Sequence, residues 1–429
     1  MITQFDAARQ GAVTPAMIRA AQDEKTTPDT VRGEIAAGRA VLPFNPRHSP
    51  SKPAVVGRAF RTKVNANIGR SSERSSVSEE SDKLRVALDA GADFMMDLSV
   101  GPDLSSLRRD LMGSCPVPLG TVPVYEALAR AGGDVARLDG KLILDVIGEQ
   151  AADGVDFMTL HAGLLAAHVP LAARRLLGIV SRGGALLAEW MVLKNQENPL
   201  YERWDEVLSV CARHDVTVSL GDGLRPGCLA DASDSAQFAE LDVLGRLVQS
   251  CRAAGVQVMV EGPGHVPFHQ IAMNVERQIR VCDGAPFYVL GPVVTDVAPG
   301  YDHMVAAIGA TAAAAHGAAL LCYVTPAEHL ALPESDEVRE GIMAFRIAAH
   351  AGDVARGVAG ARDWDDAMSR ARRDFDWDGQ FRMALDGCRA RARYERGRAA
   401  GTEADHCSMC GKEFCAMRTT ERVRKLLGS

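Results

Sequence analysis

The chain has 429 residues, 47% of them hydrophobic and 24% charged, with a formal net charge of −7. This is an ordinary globular composition, long enough for one large domain with extensions or for two to three domains. The negative balance argues against a general nucleic-acid or anionic-membrane binder, and no apolar run is long and charge-free enough to span a bilayer.

The N-terminus, MITQFDAARQGAVTPAM, lacks the basic start and apolar core of a signal peptide, so a cytoplasmic protein with reduced thiols is expected. TPAMIRAAQDE and TPDTVRGEIAAGRA each predict a helix, with Thr as N-cap, Pro at the first helical position and an amphipathic body. Residues 43–53 read as a loop, and the polar stretch RSSERSSVSEESD as a second one leading into a helix near Lys83 to Ala90.

A rhythm of short apolar, β-rich runs follows: 93–99, 117–122, 155–161, 177–181, 216–223, 256–265, 286–292 and 319–326. Segments with helical periodicity lie between most of them, WDEVLSVCARH and AQFAELDVLGRLVQSCRAAG among them. Nearly continuous apolar strands alternating with helices predict a parallel sheet covered on both faces. Eight such strands over this length fit a closed (β/α)8 barrel of the TIM type better than an open sheet. The expected organisation is an α-rich N-terminal region over 1–90, a catalytic barrel over 91–350 and a C-terminal helical segment over 351–429.

Asp97, His161, Ser181, Asp222, Glu261 and Tyr288 each fall within or just beyond the C-terminal half of a predicted strand. In a barrel those ends converge on one mouth, where the chemistry sits. SRGG (181–184) and GDGLRPG (221–227) pair an Arg with glycines that let backbone N–H groups approach an anion, so a phosphate ester is the expected ligand; structural turns bearing surface arginines are the plainer alternative. In EGPGHVP and TPAEHL, His265 and His329 are candidates for an open metal site, most naturally zinc, with Asp302 and His303 as rival ligands. Asn65 and Asn67, in KVNANIG, either fix a polar heterocycle or simply make a turn.

Seven of the ten cysteines are scattered and read as plain buried residues: Cys115, Cys211, Cys228, Cys251, Cys282, Cys322 and Cys388. Cys407, Cys410 and Cys415 instead form a C-x2-C-x4-C pattern. Three thiolates so spaced suit a 4Fe–4S cluster with one iron open to S-adenosylmethionine, whose reductive cleavage yields a 5′-deoxyadenosyl radical. A zinc knuckle with His406 as fourth ligand fits the same spacing.

Taken in order, VNANIG, MDLS, SRGG, SLGDGLRPG, EGPGHVP, APFYVLGP, APGYDH, CYVTPAEHL and CSMCG…FC resemble the motifs of the ThiC family of phosphomethylpyrimidine synthases, through most of the chain to its C-terminus. The resemblance implies a radical S-adenosylmethionine lyase. Such an enzyme rearranges 5-aminoimidazole ribotide to 4-amino-5-hydroxymethyl-2-methylpyrimidine phosphate for thiamin, releasing formate and carbon monoxide. It further implies a homodimer, with the cluster segment closing over a barrel mouth, and a flavodoxin- or ferredoxin-type electron donor. Family substrate positions match Asn67, Met96, Tyr125, His161, Ser181, Arg182, Gly183, Asp222, Gly223, Leu224, Arg225, Glu261 and Tyr288. The family's zinc ligands match His265 and His329, and its cluster ligands Cys407, Cys410 and Cys415.

The chain departs from the family's usual pattern at Phe44 to His48, at Arg70 and at Val100-Gly101. A paralogue, 5-hydroxybenzimidazole synthase, acts on the same ribotide to make a cobamide lower ligand, and it remains the alternative reading. Readings of another class are a catalytically inactive ligand binder and a zinc-stabilised barrel hydrolase with a C-terminal knuckle.

Overall fold

The computed structural model describes residues 2–71, 76–397 and 406–428. Part of the polar stretch expected as a loop, residues 72–75, lies outside the described residues. The chain divides into two compact units, Met1–Arg356 and Gly357–Ser429.

The first unit is a (β/α)8 barrel with an α-rich N-terminal extension. The barrel is closed and parallel, and its strands run in chain order: β1 Lys63–Ile68, β2 Phe94–Asp97, β3 Leu119–Thr121, β4 Phe157–Leu160, β5 Thr217–Leu220, β6 Val258–Gly262, β7 Phe287–Leu290 and β8 Leu320–Cys322. Closure comes from β8 pairing with β1, Leu320 beside Lys63 and Cys322 beside Asn65. In the extension, Thr14 caps Met17 N–H at 3.2 Å and Thr27 caps Thr30 N–H at 3.1 Å, each ahead of a Pro at the first helical position, as the sequence predicts. Phe5, Met17, Val31, Ile35, Leu42 and Phe60 give the extension a small core of its own.

Two strands differ from expectation, and the differences compensate. LGIVS at 177–181 is not a strand. Leu176 and Leu177 are largely exposed, and both donate their N–H groups to the Asp231 carboxylate, which holds this segment as a loop. The missing strand is β1, inside the region assigned to the N-terminal extension, so the barrel begins near residue 63. Asn is depleted in strands, and inward-facing Asn65 and Asn67 hide the apolar signature.

The lower barrel is filled by aromatic rings. Phe94 and Phe157 meet edge to face at 5.8 Å, with Phe157 lying over Gly120 where any Cβ would collide with it. This plug leaves room only toward the C-terminal ends of the strands.

In the second unit the described residues are helical, at Ala361–Arg373, Trp377–Met383, Gly387–Gly397 and Ala416–Leu427, with a short turn of helix at Gly411–Phe414. Trp377 stacks on Tyr394 at 4.3 Å, and Phe381 packs beside them. These rings are the local core of an otherwise arginine-rich segment.

Candidate active site at the barrel mouth

Above the aromatic plug, inward side chains of six strands and residues that follow the strands enclose a recess of about 480 Å³, measured out to solvent. Of the residues expected to bind substrate, Asn67, Met96, Tyr125, His161, Asp222, Arg225, Glu261 and Tyr288 line it. The remaining five surround it differently. Ser181 caps the helix Arg182–Lys194 and places its Oγ 3.1 Å from His161 Nε2. Arg182, exposed at the start of that helix, lies over the Tyr125 ring at 5.1 Å. Gly183 is where the His161 ring packs, and a Cβ there would run into the imidazole. The N–H groups of Gly223 and Leu224 are taken by Glu240, at 2.9 and 2.7 Å, so that carboxyl fixes the 222–225 turn from behind.

The polar network has direction. Asn65 Nδ2 donates to Asn67 Oδ1 at 2.8 Å and lies 2.7 Å from Tyr288 Oη, while Asn67 Nδ2 points at Cys322 Sγ, 3.0 Å away. Thr159 and Ser219 donate to Glu261 Oε1 at 2.6 and 2.9 Å. Arg225 Nη1 lies 3.1 Å from Asp222 Oδ1. Three buried atoms are left without a hydrogen-bond partner: Asn65 Oδ1, His161 Nδ1 and Asp222 Oδ2. Buried polar atoms are rarely orphaned, and orphans gathered around one recess fit a polar ligand that would complete them.

Burial sets the charges. Desolvation, helped by the Arg225 guanidinium, pushes His161 down to about 3, so it is a neutral imidazole at physiological pH. Desolvation raises Asp222 to about 7 against the opposing pull of Arg225, and raises Glu261 in the same direction. Burial also lifts the Cys322 thiol to about 11, so it stays protonated.

Sequence reasoning missed Thr159, Ser219, Glu240 and Cys322. Cys322, expected to be plain filler, lines the recess. Its signal is strand parity: it sits beside Asn65 in the β8–β1 register and shares that residue's inward face.

His265 and His329 come together near this mouth, with ring centroids 5.2 Å apart. His265 Nδ1 is held by Asp296 Oδ1 at 2.8 Å and His329 Nδ1 by Asp302 Oδ1 at 3.0 Å. Carboxylates that hold one ring nitrogen leave Nε2 of each for a metal. Asp302 thus supports a histidine rather than competing with it, and the rival His303 is buried with Nε2 3.5 Å from Glu340. His329 also adopts φ +61°, a left-handed backbone uncommon outside glycine.

Cys407 is half-buried, Cys410 exposed and Cys415 buried, and none is in a disulfide. Among the described residues no group of three His, Cys, Asp or Glu side chains is gathered closely enough to hold a metal. The fit to an iron–sulfur cluster rests on the donor set, three free soft sulfurs within nine positions.

Comparison with known proteins extends these observations. A profile of the radical SAM ThiC family matches residues 3–422. A phosphomethylpyrimidine synthase of Natronomonas pharaonis is 57% identical over 427 residues, covering 99% of this chain and 89% of that protein. One from Halobacterium salinarum strain R1 is 55% identical over 426 residues, with the same coverage. Among solved structures, a dihydropteroate synthase from Coxiella burnetii in complex with pteroic acid aligns at 14% identity and a TM-score of 0.42, covering 74% of this chain and 99% of that one.

Proposed function

The chain belongs to the radical SAM ThiC family, and we propose that it is a phosphomethylpyrimidine synthase, converting 5-aminoimidazole ribotide to 4-amino-5-hydroxymethyl-2-methylpyrimidine phosphate. The observation that carries this is near-full-length kinship at 55–57% identity with proteins of that name. The same kinship favours the pyrimidine over the hydroxybenzimidazole product.

Arg225 in the recess and Arg182 over the Tyr125 ring are assigned to the ribotide phosphate, since guanidinium groups grip phosphate bidentately. Asn67, His161 and Glu261 are assigned to the aminoimidazole and ribose hydroxyls, and buried Met96 and Tyr288 are assigned to shielding the ligand from water. Neutral His161 can both donate and accept a hydrogen bond. Asp222, poised near 7, can hold or release a proton at its unpartnered oxygen as substrate binds.

Cys407, Cys410 and Cys415 would hold the cluster, which when bound supplies the one-electron cleavage of S-adenosylmethionine. We assign zinc to His265 and His329, electron supply to a flavodoxin- or ferredoxin-type donor, and the working state to a homodimer acting without nucleic acid or membrane. Among the described residues, no helix is long and apolar enough to cross a membrane.

The test is anaerobic reconstitution followed by addition of dithionite, S-adenosylmethionine and the ribotide, with products identified by mass spectrometry. Hydroxymethylpyrimidine phosphate together with 5′-deoxyadenosine is the expected result. 5-Hydroxybenzimidazole, or no 5′-deoxyadenosine from fully loaded enzyme, overturns the reading.

A further inference from the structure

The second unit carries charge opposite to the rest of the chain. Residues 357–429 hold fifteen Lys and Arg against twelve Asp and Glu, a net +3 within a chain of net −7. Much of that excess is focused. The helices Ala361–Arg373 and Ala416–Leu427 border one groove, lined by Arg372, Arg373, Arg418, Arg422, Arg424 and Lys425, with only Asp374 and Glu421 as acidic lining residues. All but Arg418 are exposed, and Met417 and Val423 add exposed apolar surface on the same helix. The helix Ala416–Leu427 begins at the residue after Cys415, which serves as its N-cap. Twelve residues rise about 18 Å, so Arg418, Arg422 and Arg424 follow a cluster-ligand position along one helix, three, seven and nine residues after Cys415.

We propose that this basic groove is the docking surface for the small acidic electron-transfer protein that reduces the cluster. This rests on the radical S-adenosylmethionine reading above. Each productive encounter would pass one electron, oxidising the donor by one and reducing the cluster by one. Transient redox encounters use small interfaces steered by charge, in which an oppositely charged rim speeds approach and a modest apolar contact ends the search. A chain of net −7 would repel an acidic donor, and the groove supplies the local sign reversal that such a partner needs.

The experiment uses the reconstituted holoenzyme carrying Arg372→Glu, Arg418→Glu and Arg422→Glu together, with reduced flavodoxin as probe. Flavodoxin binding, read by calorimetric titration, is expected to weaken about tenfold at low ionic strength, and the loss to shrink toward nothing in high salt as charges are screened. Turnover driven by dithionite should remain within about twofold of wild type, which also certifies the fold. Undiminished flavodoxin affinity overturns the docking proposal. So does a variant that changes sedimentation as a dimer, or binding to phosphatidylglycerol vesicles, while leaving flavodoxin affinity intact. Failure of dithionite turnover in the wild-type holoenzyme would instead overturn the functional reading on which the proposal rests.

Discussion

Asn67 Nδ2 lies 3.0 Å from Cys322 Sγ, a contact made across the seam where the first and last barrel strands meet. Closure therefore places an amide and a thiol on the recess wall in a fixed relation, with Asn65 bridging to Tyr288 beside them. Sulfur is a weak acceptor, so the Asn67 amide loses little by exchanging it for a ligand. Asn67→Ala is expected to fold normally and to cost about 1.4 to 3 kcal/mol of ribotide recognition, roughly tenfold to a hundredfold in kcat/KM. Calorimetric titration of the ribotide should register the loss without the cluster in place. Unchanged affinity would remove Asn67 from the binding set.

Stability should fall as pH rises. Burial lifts Asp215 to about 7 and Glu240 to about 8, well above the ordinary carboxylate range near 4 that both recover on unfolding. Between those limits the folded chain holds more protons than the unfolded one. Their contribution is thus fully present below about pH 4 and is lost as pH climbs through 7 to 8. Denaturant midpoints are expected to drop from pH 6 to pH 8.5. Asp215→Asn should flatten part of that slope, because Asn suits the left-handed backbone at this helix end, φ 54°, and can still accept the Gln4 N–H. A pH-independent midpoint in wild type would contradict the burial argument.

The histidine pair makes a metal prediction that does not depend on turnover. Asp296 holds His265 by Nδ1, which leaves Nε2 for a metal. Asp296→Asn should lower zinc affinity about tenfold to a hundredfold, the usual effect of losing a carboxylate behind a ligating histidine. His329→Ala should empty the site in elemental analysis while the barrel, whose core lies below it, retains its thermal midpoint within a few degrees. Zinc retained at full stoichiometry in His329→Ala would displace the metal from this pair.

The residues easiest to read from sequence were those whose chemistry sits in a Gly- or Pro-constrained turn after an apolar run, such as Glu261, Asp222 and His265. There strand, turn and polar group follow one another without ambiguity. β1 was harder because its inward residues are amides, and hydrophobic periodicity has no means of distinguishing an amide-lined strand from a turn. The run at 177–181 misled for the opposite reason, being apolar yet pinned as a loop by Asp231. Cys322, Thr159, Ser219 and Glu240 act through register and long-range pairing, which no local pattern carries. The departures at Arg70 and Val100 also resolve in three dimensions. Arg70 bonds to the loop after β2, through Ser99 and the Pro102 carbonyl, and neither residue lines the recess. Arg70→Asn is accordingly expected to leave the product unchanged and the rate within about twofold, the scale of a surface substitution. A switched product in mass spectrometry would instead make Arg70 a determinant of the reaction's outcome.

Cysteine replacement separates the motif from its surroundings. The second unit holds four cysteines, and Cys388 is exposed on the helix Gly387–Gly397 outside the C-x2-C-x4-C pattern. If three thiolates carry the cluster, Cys410→Ser leaves two, too few to hold it with one iron free. Reconstituted Cys410→Ser should lose the broad absorbance near ~400 nm typical of thiolate-held iron–sulfur clusters, together with S-adenosylmethionine cleavage. Cys388→Ser should keep both. A zinc knuckle predicts the reverse for the wild type: colourless protein, zinc at the C-terminus and none of the absorbance to lose. The two variants thus decide between iron and zinc on colour alone, before any product is measured.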